Sequence, residues 1–348
     1  MTSHPRPSAA QPAVSDDPLA DRLAPPDHLR AALTDPSLPP RIISADDLAS
    51  GDYAPVYLAG AHFIKTGAGL PVVASCPHAG RDYPAPMLDL ARCGIDDLRG
   101  LEDFGVNHLL PDFTDRGIAC VTSNLARAYL DVNRPVDALD AEMFTPPPSS
   151  APTFAPPSRH VQAGYGIMPR LTAGRQPIYK TRLPFAAIDQ RIAALHTPYH
   201  QMLQDQLDAC VGAHGRALLI DFHSMPRRDR SRKTLPDIIL GNCFGTTLDK
   251  PIGDAIARFF EGKGLDVAWN HPYAGGYITR NNGRIRSNRQ SVQIEINRGL
   301  YMNDGAPNGG PRLILEKTAH IAAIMGEFAD YLGHMHADDQ LDFGQPDI

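Results

Sequence analysis

At 348 residues and 37.8 kDa the chain is long enough to bury a sizeable core, as one large α/β domain or two small ones. Hydrophobic residues at 43% and charged residues at 21% exclude disorder across the whole chain, and a net charge of −6 without a Lys/Arg-rich run argues against a nucleic-acid or anionic-membrane surface. No run of about 18 apolar residues is present to span a membrane. The N-terminus has no apolar signal core, and five cysteines without a CxxC pair read as reduced core residues of a cytoplasmic protein.

In chain order, residues 1–40 are rich in Pro, Ala, Ser and Asp and read as a mobile extension, with a weak helical pattern at 26–33. Residues 41–335 read as a single α/β domain and 336–348 as a tail. Short apolar runs of strand length follow at 71–76 (PVVASC), 118–122 (IACVT), 126–132 (ARAYLDV), 217–222 (ALLIDF), 237–240 (DIIL) and 291–296 (SVQIEI). Such runs suit a sheet covered on both faces. Helical spacing marks 188–213, 251–263 and 312–331. A proline-rich insert at 145–157 (TPPPSSAPTFAPP) forbids helix and interior strand and reads as a long solvated loop or lid. The alternation predicts a mixed, largely parallel sheet wrapped by helices, with the chemistry just past the carboxyl ends of the strands.

That rule selects particular residues. The run PVVASC ends in Pro77-His78-Ala79-Gly80, and ALLIDF ends in His223-Ser224-Met225-Pro226. A lone histidine there is ordinarily a satisfied polar residue at a turn. Two that end two core-type strands can share a metal, which takes a carboxylate as third ligand and keeps one position open. Glu102 and Asp103 are the nearby candidates. Asp221 shares strand parity with His223 and can orient its ring. In RAYLDVNRP, Arg127, Asp131 and Asn133 share parity if the run is a strand, with Arg134 where Pro135 ends it. Guanidinium groups grip carboxylates bidentately, so this is a candidate clamp for an acidic substrate. Glu295 lies near the end of its strand with Gln293 on the same face and Arg298 just beyond. A carboxylate there is costly unless paired or used, and a partly desolvated Glu suits a general base. His196 and His200 fall four apart, but Pro198 between them and the missing Glu of HExxH argue against a zincin. They read as a helix-start residue and a packing or outer substrate contact. Asn270–Tyr277 reads as a turn or a loop over a pocket, and no phosphate-binding glycine motif follows a strand.

Taken together, PHAGRDYP, EDF, RAYLDVNRP, HTPYH, LLIDFHSMP, DIILGN, NHPYAGGYITR and QIEINRGLYM, in this order over roughly residues 70–330, resemble the N-formylglutamate amidohydrolase family. The resemblance implies a zinc carboxypeptidase-like (phosphorylase/hydrolase-like) α/β fold. It implies one Zn2+ per chain on His78, His223 and an acid at 102 or 103, with Asp103 preferred because an aromatic residue, Phe104, follows it. The same two-His, one-carboxylate set also suits iron(II). It implies Glu295 as general base, Arg127 on the oxyanion, and Asn133, Arg134, Arg298 and Tyr277 as substrate contacts. The implied substrate is an acidic N-acyl amino acid, N-formyl-L-glutamate, cleaved to formate and glutamate in the last step of one histidine-degradation route. Alternatives are the same chemistry on another N-acyl amino acid or small peptide, or a non-catalytic binder of acidic ligands. Ala79 stands where the family commonly has Ser.

Overall fold

The apolar runs come together in one seven-stranded sheet in a computed structural model that describes residues 39–50, 52–110, 112–145, 158–303 and 311–337. Its strands are β1 (Val56–Ala59), β2 (Val72–Cys76), β3 (Ala119–Ser123), β4 (Ala217–Met225), β5 (Ile238–Gly241), β6 (Val267–Trp269) and β7 (Arg289–Asn297). The spatial order is β6-β5-β7-β4-β2-β3-β1. Neighbours run parallel except β5 against β7 and β1 against β3, so the sheet is mixed and largely parallel.

Successive side chains point to opposite faces of a strand, and the two faces have different covers. On one, Val73, Val121, Ala217 and Leu219 pack under α1 (Thr197–His214) through Tyr199, Leu203 and Leu207. On the other, Leu218, Ile220, Phe222, Val292, Ile294 and Ile296 meet α2 (Lys250–Gly262) and α4 (Leu315–Ala337), with α3 (Tyr277–Asn282) lying between these two in the chain. Each fully buried aliphatic side chain contributes roughly 1.5–3 kcal/mol. On the α1 face that apolar character gives out towards the carboxyl ends. The register sets Ser75 beside Asp221, Asp221 beside Gln293, and His223 beside Glu295, giving two polar rows across β2, β4 and β7.

The structure corrects several expectations. Residues 126–132 are not a strand. The Tyr129 N–H donates to Ala126 O and the Arg134 N–H to Asp131 O, so the segment is a series of turns. The Asp131 carboxylate accepts the Asn133 N–H at 2.9 Å, a local bond that competes with any strand ladder. The parity argument for Arg127, Asp131 and Asn133, and the placing of Arg134 at a strand end, therefore do not apply; tertiary contacts bring these residues together. The segment read as a helix over 188–213 is interrupted by a π-helical turn at Ile192–His196. Pro198 lacks the N–H that would close the preceding turn, and the backbone widens ahead of it. Helix α4 begins at Leu315, because Arg312–Leu313 instead pairs antiparallel with Met302–Asn303. It runs to Ala337, through the first residues of the stretch read as a tail. The edge strands β1 and β6, four and three residues long, are too short to give a periodic signal. The pattern at 26–33 and the insert beyond Thr145 lie outside the described residues, as do 1–38 and 338–348. Among the described residues no helix is long and apolar enough to cross a membrane.

Candidate active site

His78 lies two residues beyond β2, in a turn that passes tightly against the exit of β3. A Cβ on Gly80 would collide with the carbonyls of Ser123 and Leu125, so only glycine lets the turn lie there. His223 is on β4 itself. The two rings have centroids 4.8 Å apart. Between them comes Asp103, whose N–H donates to His78 O at 2.9 Å. Its Oδ2 is 3.2 Å from His78 Nδ1 and 2.9 Å from His223 Nδ1. One donor atom from each of the three residues falls within 4.8 Å of the others, all buried.

The outer ring nitrogens are claimed separately. His78 Nε2 is 2.7 Å from Asp131 Oδ1, and His223 Nε2 is 3.0 Å from Asp221 Oδ2. Asp221 also accepts the Ser75 hydroxyl at 2.8 Å. A carboxylate at Nε2 keeps the outer proton on each ring, so that loss of the Nδ1 proton to an incoming cation turns a lone pair inward, the arrangement in which histidines hold a metal. Two imidazoles and one carboxylate are a donor set suited to zinc or iron(II). The charge balance points the same way. Burial works against ionisation, yet the hydrogen bonds from His223 and His78 hold Asp103 well below the usual carboxylate range. Burial likewise opposes a charged His223, but Asp221 and Asp103 hold it well above its ordinary value. Four carboxylates (Asp103, Asp131, Asp221, Glu295) are buried around this point. The residues present fit a divalent cation.

Glu295 sits beside His223 in the parallel register and accepts the Gln293 side-chain amide at 2.8 Å. Burial, reinforced by Asp103, pushes its carboxyl up to about 7, against the pull of His223, Arg127 and Arg298. A base poised near neutrality is what proton transfer at physiological pH requires. Glu102 points elsewhere: it accepts the Tyr83 hydroxyl at 2.6 Å and lies 3.7 Å from Arg99 and 3.9 Å from Arg81. Of the two acids left open by the sequence, the structure brings Asp103 to the histidines and leaves Glu102 in this separate network.

The arginines divide by what already holds them. Arg127 donates through Nε to Asp131 Oδ2 at 2.9 Å, with Nη2 2.9 Å from the same oxygen. Burial disfavours its charge, but Asp131 and the carboxylates of Asp103 and Glu295 hold it above its ordinary value. Arg298 donates to Ser224 Oγ at 3.0 Å, and its Nη2 donates to Asp103 Oδ1 at 3.1 Å and to Glu102 O. It braces the inward acid. Arg134 donates through Nε to Tyr165 O and through Nη1 to Asn133 O, and its Nη2 lies 3.4 Å from His160 Nδ1 and 3.9 Å from Asp131 Oδ2, at the wall of a cavity of about 250 Å³. That cavity is lined also by Asn133, His160, Gly276, Tyr277 and Arg280. Asn133 joins cavity and metal-type site: its Nδ2 is 3.1 Å from His223 Nε2, and its Oδ1 accepts the Ile278 N–H at 2.8 Å.

His196 and His200 brace the turn behind Asn133. Their Nε2–H groups donate to Arg134 O at 2.9 Å and Val132 O at 2.8 Å, and the His200 ring lies 5.2 Å from Tyr277. Burial pushes His200 down to about 4, so it is neutral and its donor is fixed. Sequence reasoning left out three residues that the structure brings to the site. Asp131 was noted only for parity; the Asn-Arg pair that follows it was the available clue. Tyr273, whose hydroxyl burial pushes up to about 12 in the field of Glu295 and Asp103, sits in the NHPYAGGYITR segment. Arg280 closes the same segment.

The sequence profile described as N-formylglutamate amidohydrolase matches residues 70–302. An N-formylglutamate deformylase of Pseudomonas putida is 27% identical over 248 residues, 68% of this chain and 84% of its own. One from Pseudomonas aeruginosa is 26% identical with the same coverage. A crystal structure of an N-formylglutamate amidohydrolase from Ralstonia eutropha superposes with a TM-score of 0.71 at 30% identity, covering 81% of this chain and 99% of that one. A gene product of Agrobacterium tumefaciens shares the fold at 19% identity and a TM-score of 0.58.

Proposed function

The chain belongs to the N-formylglutamate amidohydrolase family, and from that premise we propose that it hydrolyses N-formyl-L-glutamate to formate and L-glutamate in the cytoplasm, as a step of histidine degradation. The observation that carries the reading is the convergence of His78, Asp103 and His223 beside a glutamate raised towards neutrality. These three residues would hold one zinc ion, and such an ion polarises a carbonyl and makes hydroxide available near pH 7.

The chain's own groups do the rest. Asp131 and Asp221 keep the Nδ1 atoms of the two histidines free as ligands by taking the proton side of each ring. Arg298 holds the second oxygen of Asp103, so that Oδ2 alone faces the histidines. The Glu295 carboxylate takes a proton from the attacking water and returns it to the departing amide nitrogen as the C–N bond breaks and the new C–O bond is complete. Arg127, tied through Asp131 into the same site, offers positive charge to the developing oxyanion. Arg134 and Asn133 receive the α-carboxylate from the side of the cavity, which Tyr277 also lines.

The test is formate release from N-formyl-L-glutamate by metal-analysed protein, with N-acetyl-L-glutamate and N-formyl-L-aspartate alongside. Rapid turnover of the first alone at one zinc per chain is expected. Absence of formate at full metal loading rejects this substrate, and turnover of the acetyl compound at an equal rate rejects selection for formyl.

A further inference from the structure

The sequence offers Arg298 as the second cation for a dicarboxylate, but that guanidinium is already engaged by Ser224, Glu102 O and Asp103. The cavity beside the site contains another. Tyr277 and Arg280 are three residues apart on α3, so they share a helix face, and both line the cavity together with Arg134 and His160. Arg280 is exposed at the cavity, and its recorded side-chain neighbour is the Cys243 thiol; among the described residues no carboxylate is bonded to it. Arg134 differs. It is largely buried at the inner wall, with two of its donors on backbone carbonyls and Nη2 within 3.4 Å of His160 Nδ1, a neutral and displaceable partner.

The two guanidinium groups act on a common space. His160 shares the lining, its Nδ1 3.4 Å from Arg134 Nη2; burial lowers it to about 4, with Arg134, Arg127 and Arg280 adding to the lowering and Asp131 opposing it. His160 is therefore neutral, and its ring adds no positive charge of its own. Among the described residues of the lining the single acid, Asp137, is exposed. A cavity with one arginine at its inner wall and another at its rim matches a ligand with two carboxylates at different depths. One lies next to the reacting bond and the other at the end of a short side chain.

We propose that Arg280 selects for an acidic side chain, its guanidinium taking the side-chain carboxylate of the substrate while Arg134 takes the α-carboxylate. The assignment rests on the amidohydrolase reading above and adds to it the group that distinguishes glutamate from its uncharged relatives. Arg280 is a specificity residue here, remote from the bond that breaks.

The experiment compares wild type, Arg280→Gln and Arg280→Lys on N-formyl-L-glutamate and N-formyl-L-glutamine, which differ only in the charge at the end of the side chain. Wild type should prefer the acid, and Arg280→Gln should lose about tenfold to a hundredfold in kcat/KM on the acid, through KM, with a much smaller loss on the amide substrate. Arg280→Lys should recover part of the preference. An unchanged acid-to-amide ratio in Arg280→Gln, or no preference in wild type, overturns the proposal. If wild type releases no formate from either compound, the reaction proposed above fails. The subsite is then read from calorimetric binding of L-glutamate and L-glutamine to the same three proteins, where a preference that survives Arg280→Gln, or is absent from wild type, overturns it.

Discussion

One wall of the site is carried by β4 and β7, and the other by the turns over residues 126–134. On the strand wall, Asp221, His223, Gln293 and Glu295 owe their positions to ladder register, and nine consecutive residues of β7 pair with nine of β4. Their side chains would hold their places even if one were altered. On the turn wall nothing comparable exists. Arg127, His78 and the Asn133 N–H all meet one buried carboxylate, Asp131, while Arg134 is tied to Tyr165 O and Asn133 O and the turn is braced at its carbonyls by His196 and His200. A strand wall separates positioning from chemistry, whereas a turn wall makes one residue responsible for both.

That contrast can be broken or sharpened by substitution. The largest effect is expected from Glu295→Gln. It should lower kcat by about 100- to 10,000-fold, as loss of a general base does, with metal content and melting temperature kept because the strand remains paired. Wild-type turnover by this variant would remove Glu295 from the mechanism, and a large loss of stability would remove it from the rigid wall. Next comes the pair Asp131→Asn and Asp221→Asn. Each takes a carboxylate from the outer nitrogen of one of the two histidines, His78 or His223, and, with these as the proposed metal ligands, should weaken metal binding or activity about 10- to 100-fold. Only Asp131→Asn also leaves the half-buried Arg127 without its carboxylate, so its cost should exceed that of Asp221→Asn and approach the roughly 3 kcal/mol of a broken buried ion pair. Asp221→Asn, which loses hydrogen bonds to Ser75 and His223, should cost about 1–3 kcal/mol. Equal melting temperatures for the two would show that the turn wall is no more dependent on one residue than the strand wall.

The smallest effect is in pH dependence. A carboxylate acts as a base only when ionised, so with Glu295 in the proposed role kcat/KM should fall about tenfold per unit as pH drops below its pKa. Burial sets that value at about 7. A bound cation favours the carboxylate, so loading should move the limb to lower pH, never higher. A limb that rises on loading, or an activity flat down to pH 4, would show that another group accepts the proton.

The same contrast decides what could be read from the residues alone. β2, β4, β5 and β7 announce themselves as apolar runs, and strand ends locate His78, His223 and Glu295 without any knowledge of the fold. Parity even pairs Asp221 with His223, because the period of a strand is a property of the sequence itself. Asp131 is different. Its apolar neighbours Ala128, Leu130 and Val132 imitate a strand, yet they are buried because turns tuck them under α1, and the bond from the Asn133 N–H to the Asp131 side chain can be seen only in three dimensions. Arg298 shows the converse: its place beyond β7 is legible, but its partners Ser224 and Asp103 come from elements far away in the chain. Whether an arginine is already engaged is a tertiary fact, and for that reason the sequence could not separate Arg298 from Arg280.

The contact between Gly276 and Asn133 bears on any attempt to reshape the pocket. A Cβ at 276 would overlap the Asn133 amide, which cannot swing aside while it accepts the Ile278 N–H. A mutagenesis library that varies the whole GGYITR stretch therefore wastes its diversity at 276, where every replacement pushes on a residue touching His223. Diversity placed at 280 reaches the same cavity from its open rim and leaves the reacting centre alone.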